Sequence, residues 1–373
     1  MRVLIALVCA VFFVSFSAAA QISDEEAAYN AVRDLIFDLS ESGVPANYLI
    51  EPREGAAAAI PDMVALSESG NPFASNMLSI MYGNGIVVSL SLDDALHYAE
   101  RALNQSRALG DEQLIEANTL NYASTLSAML PIGDADWQWV ENLARSVLHS
   151  EEDEIASQAN GLVGISIYLS EGDATRMSEA EPYLRAAADA PRSDRRVTWL
   201  MARALSSGWF GYTDDVEACE FFARSAALEV TEAYWSTGMC LLNYGTATDS
   251  AEQAFTWVRR AAEAGDTSGY LSMAVMYAMG QGVERSPIRA AEAYEYVARL
   301  NGPQLPHALR ALGGMYAVEG YGDDVVRGYA LLEIAVELGD ELASDILARF
   351  PPPETIRAEI AARKPAIERE YGL

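Results

Sequence analysis

Few side chains in this sequence are of the types that do chemistry, and their spacing sets narrow limits. There are three histidines, His97, His149 and His307, and no two stand at the short spacing that turns a pair of imidazoles toward one metal. Lys364 is the only lysine. That removes a Gly-rich phosphate loop ending in Lys, a Ser-x-x-Lys acylation pair and a Schiff-base lysine. Asp and Glu together number 54, yet nothing in their spacing separates a general acid from a general base. Asp134 with Asp136, and Gly322 followed by Asp323 and Asp324, resemble fragments of a calcium loop but lack its ordered ligands and closing glutamate. They read as acids at helix starts. No catalytic residue, metal ligand or cofactor is expected.

Cysteine chemistry is limited to Cys9, Cys219 and Cys240. The last two flank a turn near Glu229 and Val230, each about 16 Å from it along a helix at 1.5 Å per residue. Antiparallel helices would bring them to one level. A disulfide between Cys219 and Cys240 is one reading; two small core side chains, with Cys240 standing where the next unit has Tyr277, is the other. The sequon Asn104-Gln105-Ser106 has meaning only on a eukaryotic secretory route.

The elements that must position these residues begin after a leader. Residues 1–20 carry Arg2, an apolar run from Val3 to Phe16 and a small-residue cleavage site, Ala18-Ala19-Ala20. They read as a signal peptide, with the mature chain starting at Gln21 and a periplasmic or secreted destination. Cys9 is not expected to be lipidated, because Val8 precedes it where a small residue is usual. After Ala20 no apolar run is long enough to cross a bilayer. The formal charge is −29, and loss of Arg2 makes the mature chain one unit more acidic. Such a field repels phosphate backbones and anionic lipid and favours encounter with basic partners, so nucleic acid is not an expected ligand. With 51% apolar residues and acids spread along the chain, this is not a disordered acidic tail.

A repeat decides the fold. In AFTWVRRAAEAG, Ala254, Trp257, Ala261 and Gly265 stand at offsets 0, 3, 7 and 11. The pattern returns 37 residues on as Ala291, Tyr294, Ala298 and Gly302, and 37 further as Gly328, Leu331, Ala335 and Gly339. Upstream it appears as Ala218, Phe221, Ser225 and Glu229, then as Ala180, Tyr183 and Ala187, and as Ala95, Tyr98 and Ala102, with DADWQWVENLARSV between the last two. Ala58 and Ala65 suggest a degenerate opening unit. These offsets share one helix face, so each stretch is a B helix with a small-residue seam, ended by a glycine suited to positive φ. An apolar stretch such as YLSMAVMYAMG precedes each and supplies an A helix, joined through turns such as Gly83-Asn84-Gly85, Gly280-Gln281-Gly282 and Gly320-Tyr321-Gly322.

The segment AGDTSGYLSMAVMYAMGQGVERSPIRAAEAYEYVARLNG resembles a Sel-1-like repeat, a relative of the tetratricopeptide repeat, and the resemblance covers about residues 58 to 350. Cys240 and Ala204 depart from it where Tyr is usual, as does the Pro-Gln-Leu-Pro insertion at 303–306. It implies an all-α fold, an α/α superhelical solenoid of about seven to eight helical hairpins. The expected organisation is a signal peptide over 1–20, capping helices and a degenerate unit over 21–70, the solenoid over 71–350 and a capping helix over 351–373.

The resemblance also places a binding groove on the A helices. Aligning Tyr277 with the family tyrosine turns Leu271, Val275 and Met279 toward it, with Thr198, Tyr234, His307 and Arg310 from neighbouring units. The function it implies is that of a scaffold for protein–protein interaction among envelope components, with a protein or peptide partner, a basic one by charge. An alternative is a hydrolase directed at cell walls or β-lactams, as linked to cysteine-rich secreted relatives, although this chain lacks their pair of cysteines per repeat. Self-association through the end repeats is a third expectation.

Overall fold

A computed structural model describes residues 29–32, 55–131, 136–170, 174–190, 195–320 and 324–373. The proposed signal peptide, and Asp134, Gly322 and Asp323, lie outside these residues. Among the described residues every regular element is helical. Two compact units divide the chain, Met1–Asp214 and Asp215–Leu373, and each is taken by itself.

In the first unit a helical turn at 29–32 lays Tyr29 on Phe73, with ring centroids 5.8 Å apart. The helices that follow are α1 (Ile60–Glu68), α2 (Pro72–Asn84), α3 (Leu92–Leu109), α4 (Glu112–Met129), α5 (Trp137–Ser146), α6 (Asp153–Leu169), α7 (Ala174–Asp189) and α8 (Arg195–Ser207). Consecutive helices pack on one another, α2 on α3, α4 on α5 and α6 on α7 among them, each an A helix against its B helix.

The second unit opens with α9 (Asp215–Ala227) and continues through α10 (Tyr234–Tyr244), α11 (Ser250–Glu263), α12 (Thr267–Met279), α13 (Pro287–Arg299), α14 (Leu305–Ala317), α15 (Val325–Glu337), α16 (Glu341–Arg349) and α17 (Arg357–Glu370). The pairs α10/α11, α12/α13 and α14/α15 are A/B hairpins, and α16 with α17 ends the stack. The chain is therefore an all-α repeat protein of stacked hairpins.

Local chemistry sets where helices begin. Asn71, Ser91, Asp111, Ser286, Asp324 and Asp340 each accept a hydrogen bond from the backbone N–H three residues on, and Asp266 from that of Ser268. Each satisfies a donor that the first turn leaves over. Pro72, Pro287 and Pro306 occupy first turns, where a missing N–H costs nothing, so the insertion at 303–306 is absorbed as a turn and a helix start.

The seam lies where its spacing placed it. Ala254, Ala261, Ala298 and Ala335 are fully buried and Ala291 nearly so, with Phe221, Tyr294 and Leu331 buried at the ring position. Backbones approach closely at Gly328, where an added Cβ would stand 2.5 Å from the Ala317 nitrogen on the facing helix. One cap differs from expectation. Gly265 and Gly339 take φ of 88° and 89°, but Gly302 does not take positive φ; Asn301 does, at 46°. The prolines that follow shift the turn by one residue, and asparagine tolerates that region.

At the C-terminal end, α17 packs back on α15. Tyr371 is buried and donates to Glu295 at 2.8 Å, while Arg327 donates to both Glu370 oxygens, at 2.8 and 3.1 Å, and to the Tyr371 oxygen. Arg363 pairs with Asp324 and Lys364 with Glu337. The Arg327 hydrogen bonds hold Glu370 below its ordinary value, and the Arg363 pair does the same for Asp324.

Two predictions follow from this packing. Gly328→Val should lower unfolding free energy by about 1–3 kcal/mol, measured by urea denaturation, because backbone faces the added side chain. A depressed carboxylate pKa contributes stability above its unfolded value, lost as pH falls through the folded one. Hydrogen exchange in α17 should therefore accelerate as pH drops below about 4, after correction for intrinsic rates, and the acceleration should be reduced in Glu370→Gln, with Asp324 carrying the remainder.

Candidate partner-binding face

The A helices of a hairpin stack carry one face against their B helices and one away from them. Residues in the equivalent of position 271, namely Thr198, Tyr234, Leu271 and Arg310, were expected to line the open face. The structure turns Thr198 and Tyr234 inward instead and leaves Leu271 and Arg310 half-buried. Thr198 is fully buried and its hydroxyl donates to the Arg195 carbonyl at 2.9 Å. Tyr234 is 5% exposed; its ring lies 5.4 Å from that of Trp257 and its hydroxyl donates to Glu229 at 2.6 Å. Leu271 and Val275 are half-buried against the core formed by α12 to α17. Arg310 is spent on Asp340, 3.0 Å away. Among the groove residues only Met279, 72% exposed, and His307 are open. Desolvation, and then the neighbouring Arg310, hold the His307 imidazole below its ordinary value.

The physical reason is a rotation of one residue. For Thr198 and Tyr234 the next side chain along, Trp199 or Trp235, is the half-exposed one, whereas Leu271 and Ser272, and Arg310 and Ala311, are half-buried alike. Within the second unit these positions touch between repeats: Trp235 Nε1 donates to Ser272 Oγ at 2.9 Å, 37 residues on, and Gln304 donates to Ser268 at 3.3 Å. Ser272 also lies 3.9 Å from the Met239 sulfur. Gly314 opens on space, and Val318 and Met279 stand exposed at the ends of their helices. The face is thus mostly apolar, with short hydroxyl links. In the adjacent pairs Thr198-Trp199 and Tyr234-Trp235 neighbouring side chains stand about 100° apart on the helix, so spacing alone did not choose between them.

Tyr234 does other work. Arg260 lies 4.5 Å over its ring and 4.6 Å over that of Trp257, and pairs with Glu229 at 2.8 Å. Glu229 stands where other repeats have glycine, at φ 61°. Its hydrogen bond from Tyr234, then that from Arg260, hold the carboxyl below its ordinary value. The cluster ties the turn after α9 to α10 and α11.

Cys219 on α9 and Cys240 on α10 are bonded, with Cα atoms 5.6 Å apart and 21 residues between them in sequence. The bridge joins one repeat's B helix to the following A helix. Among the described residues no cluster of His, Cys, Asp and Glu could hold a metal ion, and no helix is long and apolar enough to cross a membrane.

Comparison with known proteins bears on the hairpins directly. A family model described as the Sel1 repeat matches residues 72–106, 231–266 and 268–299. The chain carries Sel1 repeats. The matched segments correspond to α2/α3, α10/α11 and most of α12/α13, and Sel1 repeats typically mediate protein–protein interaction. Among solved structures, one similar chain is a protective antigen of uropathogenic Escherichia coli strains displaying an SLR fold. It is 15% identical with a TM-score of 0.46, over 93% of this chain and 84% of the other. Another is a Sel1 repeat protein from Oxalobacter formigenes, 20% identical with a TM-score of 0.44, over 87% and 86%. No curated protein matches the sequence.

The register of these Sel1 A helices can be read by mutation. Tyr234→Ala should cost about 3 kcal/mol of stability, as for a buried ring, whereas Trp235→Ala should cost less than half as much by denaturant titration. In protein starting at Gln21, thiol titration under denaturing conditions should find no free thiol before reduction and two after it. Two free thiols before reduction would contradict the bridge.

Proposed function

We propose that this chain is an exported scaffold that captures another protein on the open face of its A helices. The observation that carries the proposal is the half-exposed row of Trp235, Ser272 and Ala311 at one position in successive repeats, bordered by the apolar side chains of Met239, Met279 and Val318. Burying such side chains against a partner returns about 25 cal/mol per Å² of apolar area. Tryptophan and methionine are the side chains that supply it with least loss of freedom or most adaptability.

Export rests on the apolar leader at 1–20, and an envelope partner follows from that destination. The formal charge of −29 favours a partner of basic net charge, whose encounter rate should fall with added salt.

The test is affinity capture from a bacterial envelope extract with the wild-type chain and with Trp235→Ala combined with Met279→Glu. Both substitutions lie on exposed or half-exposed positions, so helicity and melting should change little. Polypeptides retained by the wild type and lost by the double variant support the face. Equal retention by both would show that partners bind elsewhere. Mass spectrometry of the protein recovered from the envelope should show a mature start at Gln21; an intact Met1 would contradict export by a cleaved leader.

A further inference from the structure

Four donor-bearing side chains gather at the end of α8 in the first unit. Arg203 on α8 lies 5.3 Å over the Trp199 ring, one turn back, and 5.7 Å over the Trp209 ring in the turn that follows. Tyr168, at the end of α6, stacks on Trp209 with centroids 4.8 Å apart. Gly208, at φ 70°, makes the turn that brings Trp209 back beside the helix. The guanidinium is thus flanked by two indoles with a phenol behind one of them.

What singles the cluster out is its chemistry. Arg and Trp side chains can only donate, and the Tyr hydroxyl donates as well. Among the described residues none of these four side chains has a hydrogen-bond acceptor, and Arg203 has no carboxylate partner in a chain with 54 acids and 25 Lys and Arg residues. Some donors elsewhere are spent, the Trp235 N–H on Ser272, the Arg260 guanidinium on Glu229 and the Arg310 guanidinium on Asp340, but none of the four here is. Arg203 is exposed and the three rings are half-exposed, so the donors are within reach of a ligand.

We propose that Tyr168, Trp199, Arg203 and Trp209 form a recognition site for a carboxylate carried beside a ring or other flat apolar group on a protein partner. The guanidinium fork accepts a carboxylate in two parallel hydrogen bonds, and the flanking indoles offer both apolar faces and N–H groups. Tyr, Trp and Arg are also the residue types that dominate binding energy at protein interfaces. Because the chain is strongly acidic, the site suits a single carboxylate in an otherwise neutral or basic segment rather than an acidic run. This deepens the scaffold reading by assigning the partner a chemical feature, and the fragment assay below is read without any captured partner, so the two fail separately.

The experiment is titration of the full chain with N-acetyl-phenylalanine, its C-terminal amide, and N-acetyl-glutamyl-phenylalanine amide, following indole N–H resonances by NMR. The terminal acid, the glutamyl peptide or both should shift the Trp199 and Trp209 signals saturably, identifying a chain-terminal or side-chain carboxylate as the source. The neutral amide should bind about tenfold more weakly or worse, and Arg203→Gln should remove the difference while leaving the helical spectrum intact. Acid and amide shifting the signals alike, or no fragment shifting them, would overturn the proposal. So would undiminished preference for the acid in Arg203→Gln.

Discussion

The packing of A helix against B helix across a seam of alanine and glycine is the constraint on which everything else rests. A hairpin of two thirteen-residue helices, such as α12 with α13, exposes more apolar surface than it can cover alone. Small residues at offsets 0 and 7 let backbones approach until, at Gly328, no side chain would fit. That closeness fixes each B helix in rotation. It also forces the apolar remainder of each A helix into the neighbouring repeat, which is how one repeat's geometry passes to the next.

This constraint explains what was legible in the sequence. The B helices declare their rotation, because alanine, aromatic and alanine at fixed offsets leave one face for the seam, and Ala254, Ala261, Ala298 and Ala335 are buried accordingly. The A helices do not. TSGYLSMAVMYAM is apolar nearly all round, so periodicity gives no preferred face and a register taken from one tyrosine can err by a residue. The expected groove residues erred in that direction: Thr198 and Tyr234 point inward and the tryptophans after them point out. The cap at Asn301, in place of Gly302, has a related cause, since the prolines at 303 and 306 move the turn without changing the spacing of the B helices.

Rotation by one residue changes the chemistry of the surface. A face built from Thr198, Tyr234 and Arg310 would have been polar and charged. The observed face in the second unit is instead tryptophan, methionine, valine and serine, with its arginine withdrawn into a pair with Asp340. The repulsion among 54 acids is carried elsewhere, on helix starts and in pairs such as Arg327 with Glu370 and Arg363 with Asp324 that close the C-terminal end. These pairs hold α17 against α15.

The central claim is that the A-helix face holds the partner. Hydrogen–deuterium exchange of the chain with and without a captured partner tests it most directly, read peptide by peptide over α10, α12 and α14 against α11, α13 and α15. Slowed exchange concentrated in the A helices is the predicted result. Protection confined to the B helices would contradict the account.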